Sequence, residues 1–412
     1  MQKTSSPTPE MAQQTSKRPT PTKVLLIIAI IVVSFVGGTG FGFTSRNEIE
    51  SRLRQGTVSR DGLPDDLNYE EVESVYDSLR TNFDGELTVD MLLDGLKDGL
   101  VRASDDPYTE YLDTEEATSF DEGLSGSFTG IGAELGKEDQ FIVIVSPLNG
   151  FPAQEAGLRS GDVIAEIDGE NAYDLSITEA VEKIRGPEGT TVKLTIIRDE
   201  TERLDIEITR EQITIPSVES EIRDDKIGYL KISRFGADTT SLVQDAAQDF
   251  VRSDVEGIVL DLRGNPGGLL DSAVQISSLW VDKDDVVLEE KQSGETIRTL
   301  RALGGSILGD IPTIVLIDEG SASASEIVAG ALHDQDKATL IGETSYGKGS
   351  VQQLIDFGDG SKLKVTIARW FTPEGKNIDK EGIEPDQKVE RTVEDIEADR
   401  DPQLDAAIKE LQ

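Results

Sequence analysis

The chain has 412 residues, 36% of them apolar and 29% charged, which is enough for two or three folded domains. Its 80 acidic residues against 40 basic ones give a formal net charge of −40. A surface of that sign repels a phosphate backbone, so a nucleic-acid-binding role is excluded. Cysteine is absent and histidine occurs once, at His333. Disulfides, thiolate zinc sites, cysteine nucleophiles and multi-histidine metal centres are thereby excluded. No metal or other cofactor is expected, and a hydrolase would draw its base from Lys, Asp, Glu or that single histidine.

Residues 1–22 are rich in Ser, Thr, Pro and Gln and predict a disordered tail. The uncharged run Val24–Phe43 has the length that spans a bilayer and predicts a single-pass anchor in the cell membrane. Arg46, Arg52 and Arg54 stand just behind it, so the flanking charges nearly balance; the large acidic remainder is placed outside the cytoplasm. Residues 44–66 read as a linker. Residues 67–118 read as helical, with one apolar stripe at Val72, Val75, Tyr76 and Leu79 and a second at Leu92, Leu93, Leu96 and Leu100, broken by Asp106-Pro107-Tyr108. Residues 119–210 alternate like strands, at Phe141–Val145, Val163–Ile167, Val192–Ile197 and Leu204–Ile208. Residues 211–391 form a further α/β section whose continuous apolar runs, Ile258–Leu262 and Thr313–Ile317, suit a buried parallel sheet. The acidic tail, residues 392–412, reads as one helix.

Two motifs in the strand-rich section suggest peptide binding. In Ser127-Phe128-Thr129-Gly130-Ile131-Gly132 the glycines let backbone N–H groups turn into one concavity, a nest for a carboxylate. The extended stretch that follows would offer an edge for an added peptide strand. Downstream, Pro152 to Gly157 reads as a short helix, followed by a Gly161-Asp162 turn into a strand ending at Asp168-Gly169.

The catalytic candidates lie further on. After the run Thr313–Ile317 comes Ser321-Ala322-Ser323-Ala324-Ser325-Glu326, followed by the apolar helix face Ile327, Val328, Ala331 and Leu332. Ser323 and Glu326 fit a capping box, so Ser323 alone reads as a helix cap. A serine there also has free N–H groups and a positive helix end beside it, which a developing oxyanion needs. Lys348 stands in Gly347-Lys348-Gly349, and the phosphate-loop reading fails because Gly349 stands where that motif needs Ser or Thr. Burial would lower the pKa of such a lysine and fit it to act as a base. Gln352 could orient its amine. In Asp261-Leu262-Arg263-Gly264-Asn265-Pro266-Gly267-Gly268, Gly267 and Gly268 can bring a backbone N–H to a reacting carbonyl and, with the N–H of Ala324, make an oxyanion hole.

The strand-rich section resembles a PDZ domain of the circularly arranged type. Its resemblance implies a ligand with an apolar C-terminus, bound near Phe128, Gly130, Ile131 and Gly132. The order helical segment, PDZ, DLRGNPGG, SASASEI, GKGSVQQ and TPEGKNIDKEGIEPD, over roughly residues 68–390, resembles the S41 family of C-terminal processing peptidases. This resemblance implies an α/β multi-domain protein with a crotonase-like ββα core, a tail-specific serine endopeptidase with Ser323 as nucleophile, Lys348 as base and Gln352 assisting. Asp334 and His333 receive no catalytic place. Asn149-Gly150-Phe151 lengthens the turn before Pro152. Arg185, in a Gly-Pro turn, is a candidate for gating the site across the domain boundary. Expected partners are protein or peptide substrates and the membrane; a homo-oligomer or an adaptor lipoprotein is left open.

Overall fold

The computed structural model describes residues 68–199 and 201–412. The expected tail (1–22), anchor (24–43) and linker (44–66) lie outside the described residues. No helix among the described residues is long and apolar enough to cross a membrane. The chain divides after Leu87 into two units. In the first, α1 (Tyr69–Asn82) has Glu70 and Glu71 in its first turn and Arg80 in its last, each opposing the helix dipole. Its apolar stripe Val72, Val75, Tyr76 and Leu79 is exposed.

The second unit begins with α2 (Val89–Arg102), capped by the Thr88 hydroxyl, which accepts from the Met91 N–H. Asp106-Pro107 ends the helical run, and β1 (Glu110–Leu112) and α3 (Thr114–Ser125) follow. Asp113 and Glu116 form a capping box at the start of α3, and Gly126, at φ 64°, ends it. This helix runs past residue 118, where the helical section was expected to end, because its caps define it and Ala117 is its one buried residue.

Strand β2 (Ser127–Gly130) pairs with β9 (Glu211–Thr214) as a separate antiparallel ribbon, with Ser127 opposite Thr214 and Gly130 opposite Glu211. The chain between these strands builds its own antiparallel sheet, in the order β3 (Ala133–Glu138), β4 (Phe141–Pro147), β5 (Val163–Ile167), β7 (Thr191–Arg198) and β8 (Glu202–Thr209), with β6 (Glu170–Asn171) beside β5. Ile142, Ile144, Val192, Leu194 and Ile196 alternate inward as period-2 strands require and are fully buried. Helices α4 (Pro152–Glu155) and α5 (Ile177–Ile184) complete this domain. β3 has one sheet neighbour, so its other edge is open.

The remaining section is built on a six-stranded sheet. β10 (Val218–Ile222) runs antiparallel to β11 (Ile227–Ile232), and β12 (Gly257–Asp261), β15 (Thr313–Ile317), β16 (Thr339–Gly342) and β19 (Gln387–Lys388) continue in parallel. One face carries Leu230, Leu260, Val315 and Leu340 against α6 (Thr239–Arg252), α7 (Leu270–Ser277) and α8 (Ala324–Asp334). The other face carries Val259, Ile314, Leu316 and Ile341 against Leu404, Ala407 and Leu411. Apolar contact on both faces is why these strands read as continuous apolar runs. A second sheet contains β13 (Val286–Gln292), β14 (Glu295–Arg301), β17 (Ser350–Asp356) and β18 (Lys362–Phe371), and β1 pairs with β18 at its edge. The tail forms two helices, α9 (Val393–Glu397) and α10 (Pro402–Leu411), where one was expected. Pro402 disfavours helical backbone at Asp401 and starts the second helix instead.

Candidate active site

The turn between β15 and α8 holds Ser323 at φ 53° and ψ −111°, left of the helix it precedes and outside the regions a β-carbon prefers. Such a conformation costs about 1–3 kcal/mol and persists only where neighbours fix it. The flanking serines supply that restraint. Ser321 Oγ donates to the Leu262 carbonyl at 2.8 Å, Ser325 Oγ donates to the Asn265 carbonyl at 2.9 Å, and the Ala322 N–H donates to the same carbonyl at 2.9 Å. The serine turn is thereby stapled to the turn after β12.

That second turn presses against Ser323. A β-carbon on Gly267, whose φ is 101°, would stand 2.8 Å from Ser323 Cβ and 2.9 Å from the Ala324 nitrogen. The Gly267 N–H donates to Asn265 Oδ1 at 2.9 Å, so this donor is already engaged. The N–H groups of Gly268 and Ala324 have no hydrogen-bond partner among the described residues. Gly268 is held against Phe235, whose N–H donates to the Gly267 carbonyl and whose carbonyl accepts from Leu269 N–H, each at 2.8 Å.

Glu326 binds the serine and lysine loops together. Fully buried, its carboxylate accepts from the Ser323 N–H at 2.7 Å, the Gly347 N–H at 2.7 Å, the Lys348 N–H at 3.0 Å and Ser345 Oγ at 2.6 Å. Burial pushes its pKa above the ordinary range, and the four donors draw it part of the way back. The S-x-x-E spacing pointed to the Ser323 contact; the three contacts to residues 345–348 join loops that sequence spacing does not connect.

Lys348 is held by its backbone, its carbonyl accepting from Trp370 Nε1 at 2.8 Å. Its amine lies 5.5 Å from the centroid of the Tyr108 ring. Burial, and then the charge of Lys364, lower its pKa, while Glu110 and Glu326 oppose them. The amine is not hydrogen-bonded to Ser323 or Gln352, and Gln352 Nε2 donates instead to Ser350 Oγ at 2.7 Å and Thr366 Oγ1 at 3.3 Å. Ser323, Ala324, Gly267, Gly268, Lys348 and Gln352 nevertheless line one cavity of about 540 Å³. Phe120 and Leu124 of α3 and Arg234 complete its wall. His333 lies off this cavity, its ring between Asp334 and Asp386 at 3.3 and 3.2 Å. Asp334 also accepts from the Glu374 N–H at 3.0 Å, a structural clamp on the end of α8.

Phe128 and Gly130 lie in the ribbon strand β2, and Ile131 and Gly132 in the turn after it. The carbonyls of Ile131 and Gly132 accept from Ala153 and Leu148, while their N–H groups have no partner among the described residues. Gly132, at φ 72°, backs onto Phe151, in the lengthened turn. The Phe128 ring lies beneath the Arg185 guanidinium at 4.5 Å, and Arg185 donates to Glu122 of α3 at 2.8 Å.

Residues 226–389 match the model of peptidase family S41, and residues 143–198 match a PDZ domain. The chain is 38% identical over 325 residues to the carboxy-terminal processing protease CtpA of Bacillus subtilis (strain 168), covering 79% of this chain and 70% of that one. It is 41% identical over 329 residues to a protein described as a CtpA-like serine protease of Staphylococcus aureus (strain bovine RF122 / ET3-1), covering 79% of this chain and 66% of the relative. In fold it resembles the crystal structure of an S41 protease from Bacteroides fragilis NCTC 9343, with a TM-score of 0.52 at 17% identity over 76% of this chain and 89% of that one. The chain belongs to peptidase family S41 and is a serine-type endopeptidase of the C-terminal processing class, carrying a PDZ domain.

Proposed function

We propose that this peptidase is anchored in the cell membrane through residues 24–43, acts outside the cytoplasm, and cuts proteins whose apolar C-termini are captured by its PDZ domain. In this reading Ser323 is the nucleophile, Lys348 the general base and Gln352 the group that orients the amine. The observation that carries it is convergence: these three residues, from a helix N-terminus, a glycine loop and a strand, line one cavity with two unengaged N–H groups. The neutral Lys348 amine takes the proton of Ser323 Oγ as the oxygen attacks the scissile carbonyl carbon. The oxyanion is received by the N–H groups of Gly268 and Ala324, beside the positive end of α8. Collapse returns the proton from Lys348 to the leaving amine and leaves an ester on Ser323. Water, deprotonated by the same lysine, then hydrolyses that ester.

Carboxylate capture is assigned to the unpartnered N–H groups of Ile131 and Gly132, next to the open edge of β3. Arg185 would pass occupancy on to the site, because it grips Glu122 on the helix whose Phe120 and Leu124 wall the cavity. The membrane reading rests on the apolar run Val24–Phe43.

The test is turnover of an unstructured peptide ending in a free apolar residue, against its C-terminal amide. Ser323→Ala, Lys348→Ala and Lys348→Arg should each lower kcat/KM by about 10⁴-fold or more and to a similar floor, since guanidinium cannot lose its proton and members of one catalytic unit are not additive. The amide should be cut more slowly than the acid. Substantial turnover by Lys348→Arg removes the lysine as base, and equal cleavage of acid and amide removes carboxylate capture.

A further inference from the structure

The segment before the PDZ domain reaches the site through Asp106. Asp106 Oδ2 accepts from Thr109 Oγ1 at 2.6 Å and from Thr366 Oγ1 at 2.5 Å. Thr109 Oγ1 in turn accepts from the Thr366 N–H at 3.1 Å, so the turn after α2 holds β18 at this one residue. A carboxylate only accepts, so the single hydroxyl proton of Thr366 is committed to Asp106. What Thr366 has left to offer Gln352 is a lone pair, and Gln352 Nε2 donates to it at 3.3 Å. The same nitrogen donates to Ser350 Oγ at 2.7 Å. Both amide hydrogens are thereby used, and Gln352 Oε1, which makes no hydrogen bond among the described residues, remains as an acceptor on a residue lining the cavity with Lys348.

We propose that Asp106 is a positioning residue for catalysis: through Thr366 it fixes which way round the Gln352 amide sits, so that its oxygen rather than its nitrogen is available to the Lys348 amine. Without the carboxylate, Thr366 could donate to Oε1 as readily as accept from Nε2, and the amide would present an N–H to the base. That N–H would compete with Ser323 for the lysine lone pair. Burial raises the Asp106 pKa, but the hydroxyls of Thr109 and Thr366, the Tyr108 N–H and the Arg369 charge together outweigh it, which keeps the acceptor-only form in place at neutral pH. Asp106 and Thr109 lie outside residues 226–389, so the relay brings in a part of the chain beyond the matched peptidase section. This inference rests on Gln352 assisting Lys348.

The experiment is a kinetic comparison, in the full chain, of Asp106→Asn, Thr366→Val, Thr366→Ser and Gln352→Ala on a peptide with a free C-terminus, with melting curves alongside. Asp106→Asn and Thr366→Val should lower kcat on the order of tenfold, the worth of one ordinary hydrogen bond, and leave KM within about twofold. An amide N–H facing the amine disfavours its protonated form, so the acid limb of kcat should move to lower pH in both. Lys364, Glu110 and Glu326, the charged groups that act on Lys348, are untouched by these changes. Thr366→Ser keeps the hydroxyl and should restore both rate and pH profile. On a Gln352→Ala background, Thr366→Val should cost nothing more. If Gln352→Ala is impaired while Asp106→Asn and Thr366→Val keep the wild-type kcat and acid limb, the relay is overturned. A Thr366→Val loss that persists undiminished on the Gln352→Ala background overturns it as well. If Gln352→Ala keeps full turnover, the role of the glutamine itself fails, and the relay with it.

Discussion

At Lys348 effects of opposite sign meet on one amine. Burial and the Lys364 charge favour the neutral base, and Glu110 and Glu326 favour the ammonium. In the proposed mechanism the neutral form is the active one, so kcat/KM should rise with pH through the lowered pKa and fall away below it. Lys364 is ion-paired with Glu110, so replacing it by Met both removes a positive neighbour and frees a negative one. Both changes raise the Lys348 pKa, and the acid limb should move to higher pH. Glu110→Gln should move it to lower pH. Measuring kcat/KM against pH for the two variants checks this, and movement of both limbs in one direction would discard the electrostatic account. Ser323 and Lys348, which line one cavity, stood out as candidates in the sequence because their neighbours carry a local pattern: a cap motif before an apolar helix face, and glycines on both sides of a lysine. Asp106 was not, because its contact with Thr366 spans 260 positions and its side chain has no motif partner near it.

Among the elements, the turn after β12 and the N-terminus of α8 act as one piece, since Ser321, Ala322 and Ser325 all bond to it. Gly267 is the point of closest approach. Its φ of 101° and the 2.7 Å separation its β-carbon would have from the Ala322 carbonyl leave no room for a side chain. Gly267→Ala should therefore push the turn off Ser323 and misplace the Gly268 N–H, the proposed oxyanion donor. Loss of one oxyanion donor typically costs 10²–10³-fold in kcat, and a loss of about that size with KM little changed is expected. A variant with wild-type kcat would mean that Gly268 does not serve the oxyanion. The parallel strands β12 and β15 were readable within a residue, because burial on both faces leaves an unbroken apolar run. The stripes of α1 and α2 gave the helices correctly but not their burial: Val75, Leu79, Leu96 and Leu100 are all exposed. Periodicity records that a face is apolar, and cannot record what covers it.

At the scale of the whole molecule, long-range ties set which parts can be removed. Arg263, in the turn after β12, is gripped by Asp261 and makes a two-pronged contact with Asp401 of the tail, both distances 2.8 Å, with Gln403 Oε1 accepting at 2.9 Å. With Ala407 fully buried on the outer sheet face, the tail is part of the peptidase core, where composition alone marked only an acidic helical tail. The PDZ domain is attached quite differently. Its side-chain tie from Arg185 to Glu122 joins partly exposed groups and is worth no more than about 1 kcal/mol. Both of its covalent connections pass through the ribbon of β2 and β9, where Gly130 stands directly opposite Glu211.

That pairing has the geometry of a β-hairpin with a domain in place of its loop. Residues 131–210 could be exchanged for a two-residue Asn-Gly turn, whose twist matches an antiparallel ribbon, without moving either strand. The shortened chain should unfold in a single cooperative transition, and Ser323 should still be labelled by a serine-directed phosphonate. Loss of the cooperative transition would show that the domain supports the peptidase rather than hanging from it. Loop closure is forgiving of length, each doubling costing only about 0.6 kcal/mol. A hairpin loop is therefore where a host fold can take in a whole guest domain, or give it up, while its own strands keep their partners.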